Sequence, residues 1–187
     1  MARWPVFEWP AQAPPPSAPC VVLALALAPD MPRADARARV REAAREYIAV
    51  RLGVAPESLT LRASPGLPPQ LVGYALGLSF SHEPGCSLVA VNWDGPVGVD
   101  LMRVALPEDW AAVARDYLGP AMATQIAATP LELRAEAFSQ AWTQLEASLK
   151  LRGEALREWR AGDVVDACRC SPLTLPAGYI GTLALPR

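Results

Sequence analysis

The sequence predicts an α+β fold built as two α+β halves, and three observations carry that reading. An apolar run, "CVVLALALA" at 20–28, has the length and flanks of a buried strand, and an Arg-rich segment at 33–52 follows it with helical spacing. Short strand-like stretches separated by Pro/Gly turns come next. From 107 the pattern turns helical again, and the last third returns to strands. Helix-then-strands therefore occurs twice, without a sequence repeat. The boundaries expected are a proline-rich leader at 1–19, an N-terminal half at 20–96 and a C-terminal half at 97–187.

The leader, "PAQAPPPSAP" at 10–19 with Trp4, Phe7 and Trp9 before it, reads as an irregular extended segment folded over the surface. The run at 20–28 is far shorter than the roughly 20 apolar residues of a membrane span. Proline also stands where a signal peptide has its basic start. Over 33–52, Val40, Ala43, Ala44, Tyr47, Ile48 and Val50 make an apolar stripe, Gly53 supplies the stop, and the opposite face is strongly basic. Strands are expected at "SLTLRA", "ALGLSFSH", "CSLVAVNW" and "VGVDLMRV". Helices are expected at 107–119 and 130–153, each opening on proline and closing on glycine. "DVVDACRC" and "YIGTLAL" read as the final strands.

Composition limits the function. A chain of 187 residues, 52% of them hydrophobic, buries a real core, and a net charge of −2 gives no global reason to expect nucleic acid. The four cysteines show no paired metal spacing. Cys168 and Cys170 form a lone C-x-C whose side chains would point the same way along a strand. A soluble cytoplasmic protein with free thiols is the expectation.

One residue stands out. Of the seventeen basic residues sixteen are arginine and one is lysine, Lys150. Helical spacing puts Phe138, Trp142, Glu146, Lys150 and Gly153 on one stripe, with Glu146 and Lys150 as direct neighbours. On spacing alone this is a surface ion pair contributing about 0.2–0.5 kcal/mol. The segment 78–104 adds the one histidine, His82, and a carboxylate, Asp100, at the end of an apolar strand. A histidine, two carboxylates able to share a hard cation, and a lysine beside one of them suit chemistry on a phosphate ester.

"SFSHEPGCSLVAV", "VGVDLM" and "FSQAWTQLEASLKLRGEAL", in this order and at these separations, resemble the 4′-phosphopantetheinyl transferases of the surfactin-synthetase type. The resemblance covers roughly 33–159. It implies two similar halves related by a pseudo-twofold, with coenzyme A and Mg²⁺ in the cleft between them. It also implies transfer of the phosphopantetheine arm from coenzyme A to a serine of an apo acyl or peptidyl carrier protein. Carried over by position, Asp100 and Glu146 become Mg²⁺ ligands, Glu146 takes the proton of the attacking serine, and Lys150 stabilises charge on the phosphates. Ser81 and His82 match the family's phosphate-contacting pair, and Arg33 and Arg37 lie near its basic contacts to the 3′-phosphate. The two-half architecture implies a monomer.

Four positions depart from the family pattern. Leu145 and Leu67 replace lysines, Met102 replaces an acid, and Glu83 replaces a serine, so most of the changes make the site less positive. Two functions stay open on the sequence: a working transferase, or a catalytically degenerate relative serving as a binding or scaffolding module for a carrier protein or synthase. Candidate partner-facing residues are Arg37, Arg41 and Arg45, and the region around Met122 and Arg134.

Overall fold

The structure, a computed structural model, describes residues 2–64, 66–162 and 168–187. It is α+β. Strand β2 (Cys20–Ala26) lies inside a four-stranded sheet of order β1-β2-β6-β5, with β1 (Phe7–Glu8), β5 (Gly77–Glu83) and β6 (Cys86–Asn92). The continuous apolarity of β2 has a direct cause: both faces of this sheet are covered. Val21, Leu23 and Leu25 face helix α1 (Arg33–Leu52) and pack with Val40, Ala44, Tyr47 and Ile48. Val22 and Ala24 face the other way, into a second core with Val99, Leu101 and Leu183.

That second core belongs jointly to a three-stranded sheet of order β7-β9-β8, made of β7 (Gly98–Arg103), β8 (Arg169–Pro172) and β9 (Tyr179–Leu185). A small ribbon pairs β3 (Leu61–Arg62) with β4 (Gln70–Leu71). Helix α2 (Trp110–Val113) runs on into a wide turn, Ala114–Leu118. Then come α3 (Pro120–Ala128) and the long α4 (Leu131–Arg152), which covers β7 and β9. Helices α1 and α4 both follow a proline, Pro32 and Pro130. Both end on a left-handed glycine, Gly53 at φ 69° and Gly153 at φ 66°, the conformation a helix C-terminus asks of glycine.

Several details differ from the sequence reading. Phe7 and Glu8 are not irregular: they add a parallel edge to β2, opposite Leu23 and Ala24. Trp4 bridges to Leu173, so the segment expected as a leader touches both sheets. Val50 is 75% exposed, and Ala49 takes its place in the α1 stripe. Helix α3 has no apolar stripe by which the sequence could announce it; of its residues only Ile126 is buried. Of the expected strand at 163–170, residues 163–167 lie outside the described residues.

Candidate active site

A cavity of about 700 Å³ opens between α1, β5, β7 and α4. Its geometry follows from how the two sheets meet. Strands β5 and β7 are the facing edges of their sheets, so neither has a ladder partner on that side. Backbone groups stranded there need other partners. Serine hydroxyls supply one set: the amide of Val99 donates to Ser79 Oγ and that of Leu101 to Ser81 Oγ, both at 3.0 Å. The two-residue step of "SFS" matches the two-residue step of the orphan amides.

Lys150 supplies the other set. Its ammonium donates to the carbonyls of Phe80 on β5 (3.2 Å) and Val99 on β7 (3.1 Å), and to Asp100 Oδ1 (2.7 Å). All three of its donors are thus engaged at the seam. The lysine does not run along the helix to Glu146, as the spacing suggested, but reaches across to β7. A compact ammonium fits between three converging oxygens, where a planar guanidinium fork does not. This gives a physical reason for a lone lysine in an arginine-rich chain.

Asp100 is buried, 7% exposed, and Oδ1 receives both Lys150 and the hydroxyl of Ser81, the latter at 2.9 Å. The Ser81 hydrogen is committed to that carboxylate, so its part in the site runs through Asp100 rather than toward a phosphate oxygen. Gly98 makes the arrangement possible. A Cβ there would lie 1.9 Å from the carbonyl oxygen of Ala147 and 2.6 Å from the amide of Leu151, so only glycine lets the α4 backbone press against β7. That close approach brings Lys150 within reach of Asp100.

Trp142, Glu146 and Lys150 line the cavity from α4, and Phe138, the first residue of the expected stripe, turns into the core instead. Burial raises the Glu146 carboxyl above its ordinary range, and the negative charge of Asp100 adds to the effect, with Lys150 partly opposing it. Glu83 is raised in the same way, by burial and then Asp100, against Arg103 and Arg33. His82 is pushed down to about 4, first by burial and then by Arg37, Lys150, Arg33 and Arg41, and its Nδ1 lies 3.1 Å from Ser87 Oγ. At neutral pH it is an uncharged hydrogen-bonding ring.

The opposite wall is cationic. Arg33, Arg37 and Arg41, one turn apart along α1, all line the cavity. The sequence offers Arg41 as a partner-facing residue, whereas it lines the cavity; its four-residue step from Arg37 is the signal for that place. Arg45 pairs with Glu42, and Arg134 lies over the Trp110 ring and donates to the carbonyls of Ala127 and Thr129. Leu67, Met102 and Glu83, three of the four departures, also line the cavity.

The donor set fits a Mg²⁺ ion. Two carboxylates, Asp100 and Glu146, share the cavity, the charge of Asp100 disfavours that of Glu146, and the hydrogen bonds to Asp100 fall on Oδ1 alone, leaving Oδ2 to serve as a metal ligand. Among the described residues no group of three or more His, Cys, Asp or Glu side chains could hold a metal. Mg²⁺ asks for no more than one or two carboxylates, completing its shell with water and substrate phosphates.

Sheets that meet at a hydrogen-bonded seam, with an arginine row facing two carboxylates across a cavity, have the chemistry to suit a phosphorylated ligand. Comparison with known proteins narrows this. Residues 96–181 match the model of the 4′-phosphopantetheinyl transferase superfamily. The chain is 27% identical over 120 residues to the Synechocystis sp. protein slr0495, provisionally named a 4′-phosphopantetheinyl transferase; the alignment covers 63% of this chain and 49% of that one. It is 26% identical over 110 residues to the 4′-phosphopantetheinyl transferase HetI of Nostoc sp., covering 59% and 46% respectively. Residues 96–181 thus carry the pattern of that superfamily, and the chain is similar to two of its members. It spans about half the length of the curated relatives it matches. No helix among the described residues is long and apolar enough to cross a membrane.

Proposed function

We propose that this protein transfers the 4′-phosphopantetheine arm of coenzyme A to a serine hydroxyl of an apo acyl or peptidyl carrier protein, with Mg²⁺ held by Asp100 and Glu146. The observation that carries the reading is the convergence of Asp100, Glu146 and Lys150 on one cavity opposite Arg33 and Arg37, in a chain that carries the pattern of this superfamily over residues 96–181. Arg33 and Arg37 hold the phosphates that do not react, a task that suits guanidinium groups. The carrier serine oxygen forms its bond to the phosphorus of the phosphopantetheine, and the bond to the leaving 3′,5′-ADP breaks. Glu146 accepts the serine proton. Bound Mg²⁺ supplies positive charge to the pyrophosphate oxygens. Lys150 and Ser81 fix the Asp100 carboxylate, and the ammonium adds positive charge at the edge of the same space. The neutral His82 contributes a hydrogen-bonding ring nitrogen rather than a charge.

The test is intact-mass spectrometry of a panel of apo carrier proteins incubated with this protein, coenzyme A and Mg²⁺. A phosphopantetheine mass gain that disappears with Glu146→Gln is the expected result. No gain on any carrier, with no coenzyme A binding, would instead favour the non-catalytic relative, a reading that Leu67 and Glu83 on the cavity wall already support by weakening its positive potential.

A further inference from the structure

The face of α4 that turns away from this cavity carries a second set of reactive groups. Gln140 and Gln144, at the same four-residue step as Ser148, line a separate cavity of about 520 Å³ together with Cys168, Cys170, Arg169 and Arg187. Cys168 is buried and Cys170 half-buried, and their sulfurs lie 3.6 Å apart. Ser148 Oγ gathers them: it lies 3.2 Å from Cys168 Sγ and 3.4 Å from Cys170 Sγ, and donates its own hydrogen to the Gln144 carbonyl at 2.6 Å. With that hydrogen committed, the oxygen is left to accept from both thiols. One hydroxyl thereby holds two protonated sulfurs side by side.

We propose that Cys168 and Cys170 form a dithiol that exchanges with an anionic low-molecular-weight disulfide entering this second cavity, closing to an intramolecular disulfide. The cavity suits such a ligand because Arg169 provides a cationic group for its carboxylates, and Gln140 and Gln144 provide amides. Cys170, the more accessible thiol, gives up its proton and attacks one sulfur of the incoming disulfide, forming a mixed disulfide and releasing one thiol. Cys168 then attacks the Cys170 sulfur, the Cys168–Cys170 bond forms, and the second thiol leaves. Two protein thiols are oxidised and one disulfide is reduced to two thiols. Closing the gap from 3.6 Å to the ~2.05 Å of a disulfide takes ~1.5 Å of sulfur movement. Bridging residues only two apart in a chain entering β8 strains the bond, which makes it readily reduced again. Burial pushes the Cys170 thiol up to about 11, opposed in part by the charge of Arg152, so exchange near neutral pH is slow. Cys20 and Cys86, buried in the sheet with thiols pushed up to about 12 and about 11, serve as internal controls.

The probe is oxidised glutathione. The reduced protein is incubated with it overnight, without oxygen and with a chelator, and read by intact mass and by peptide mapping after unfolding and alkylation. The wild type is expected to lose two hydrogens, mapped to the peptide joining Cys168 and Cys170, with Cys20 and Cys86 still alkylated. Cys168→Ser, which has no second thiol to resolve the intermediate, is expected to stop at one glutathione adduct on Cys170. Cys170→Ser is expected to stay unmodified. Circular dichroism of each variant establishes that it is folded. A wild type that keeps a stable adduct, that stays fully reduced, or that links Cys20 or Cys86 would overturn the proposal.

Discussion

The two long helices wall one cavity in different ways. Helix α1 presents arginines, at Arg33, Arg37 and Arg41, on a face that is otherwise solvated. Helix α4 presents Glu146 and Lys150 from a backbone pressed onto β7, where Lys150, Ser81 and Asp100 form a connected hydrogen-bond network. The first wall supplies charge from exposed or half-buried side chains. The second supplies a carboxylate, Asp100, held in place by Lys150 and Ser81, with Glu146 beside it. Binding a multiply charged ligand asks mainly for the first, and chemistry at a single phosphorus atom asks for the second.

Substitutions on the held wall should therefore act on turnover and on stability, and substitutions on the cationic wall on ligand affinity. The largest effect is expected from Glu146→Gln, which removes the proton acceptor and should lower kcat about 10²–10⁴-fold while the melting temperature holds or rises, since it also relieves a buried carboxylate. Next comes Lys150→Met. It leaves Asp100 without its cation and two backbone carbonyls without their donor, and should cost about 2–4 kcal/mol in a denaturant titration. Lys150→Arg should restore little of this, because the fork cannot meet three converging oxygens. Gly98→Ala forces apart backbones that its Cβ would meet at 1.9 Å, and should cost about 1–3 kcal/mol or more, with loss of turnover from a site that touches no ligand.

Much of the fold was legible in the sequence because its punctuation is strong. Pro32 with Gly53 and Pro130 with Gly153 bracket α1 and α4, and the run at 20–28 is apolar because both faces of its sheet are covered. The chemistry-bearing side chains were legible as types on a stripe. Their partners were not. Lys150 binds two backbone carbonyls, which have no sequence signature, and Ser81 looks like any serine in an alternating strand until β7 is placed beside β5. The role of Gly98 is likewise set by a helix nearly fifty residues further along the chain. Edge strands that meet without a ladder are a tertiary event, and what satisfies them is fixed only once both sheets exist.

Smaller effects sharpen the contrast. Arg33→Ala and Arg37→Ala should each raise the KM for coenzyme A about tenfold with kcat little changed, and the wild-type KM should climb with ionic strength. His82 gives the smallest effect. Its pKa is pushed down to about 4 from an ordinary 6.5, so the unfolded chain takes up a proton that the folded protein resists. Stability is fully present above about 6.5 and declines as pH falls toward about 4. His82→Gln should flatten that decline by on the order of 1 kcal/mol, discounted for the partial exposure of the ring, in melting temperatures followed across this range.

The division of labour between the walls is tested most directly by calorimetric titration of coenzyme A, with a chelator in place of Mg²⁺ so that the metal-holding role of Glu146 does not enter, into the wild type, Glu146→Gln and the Arg33→Ala/Arg37→Ala double variant. The account predicts that Glu146→Gln binds coenzyme A within a few-fold of the wild type, whereas the double arginine variant loses most of the affinity. Full affinity in the double arginine variant, or loss of binding in Glu146→Gln alone, would contradict it.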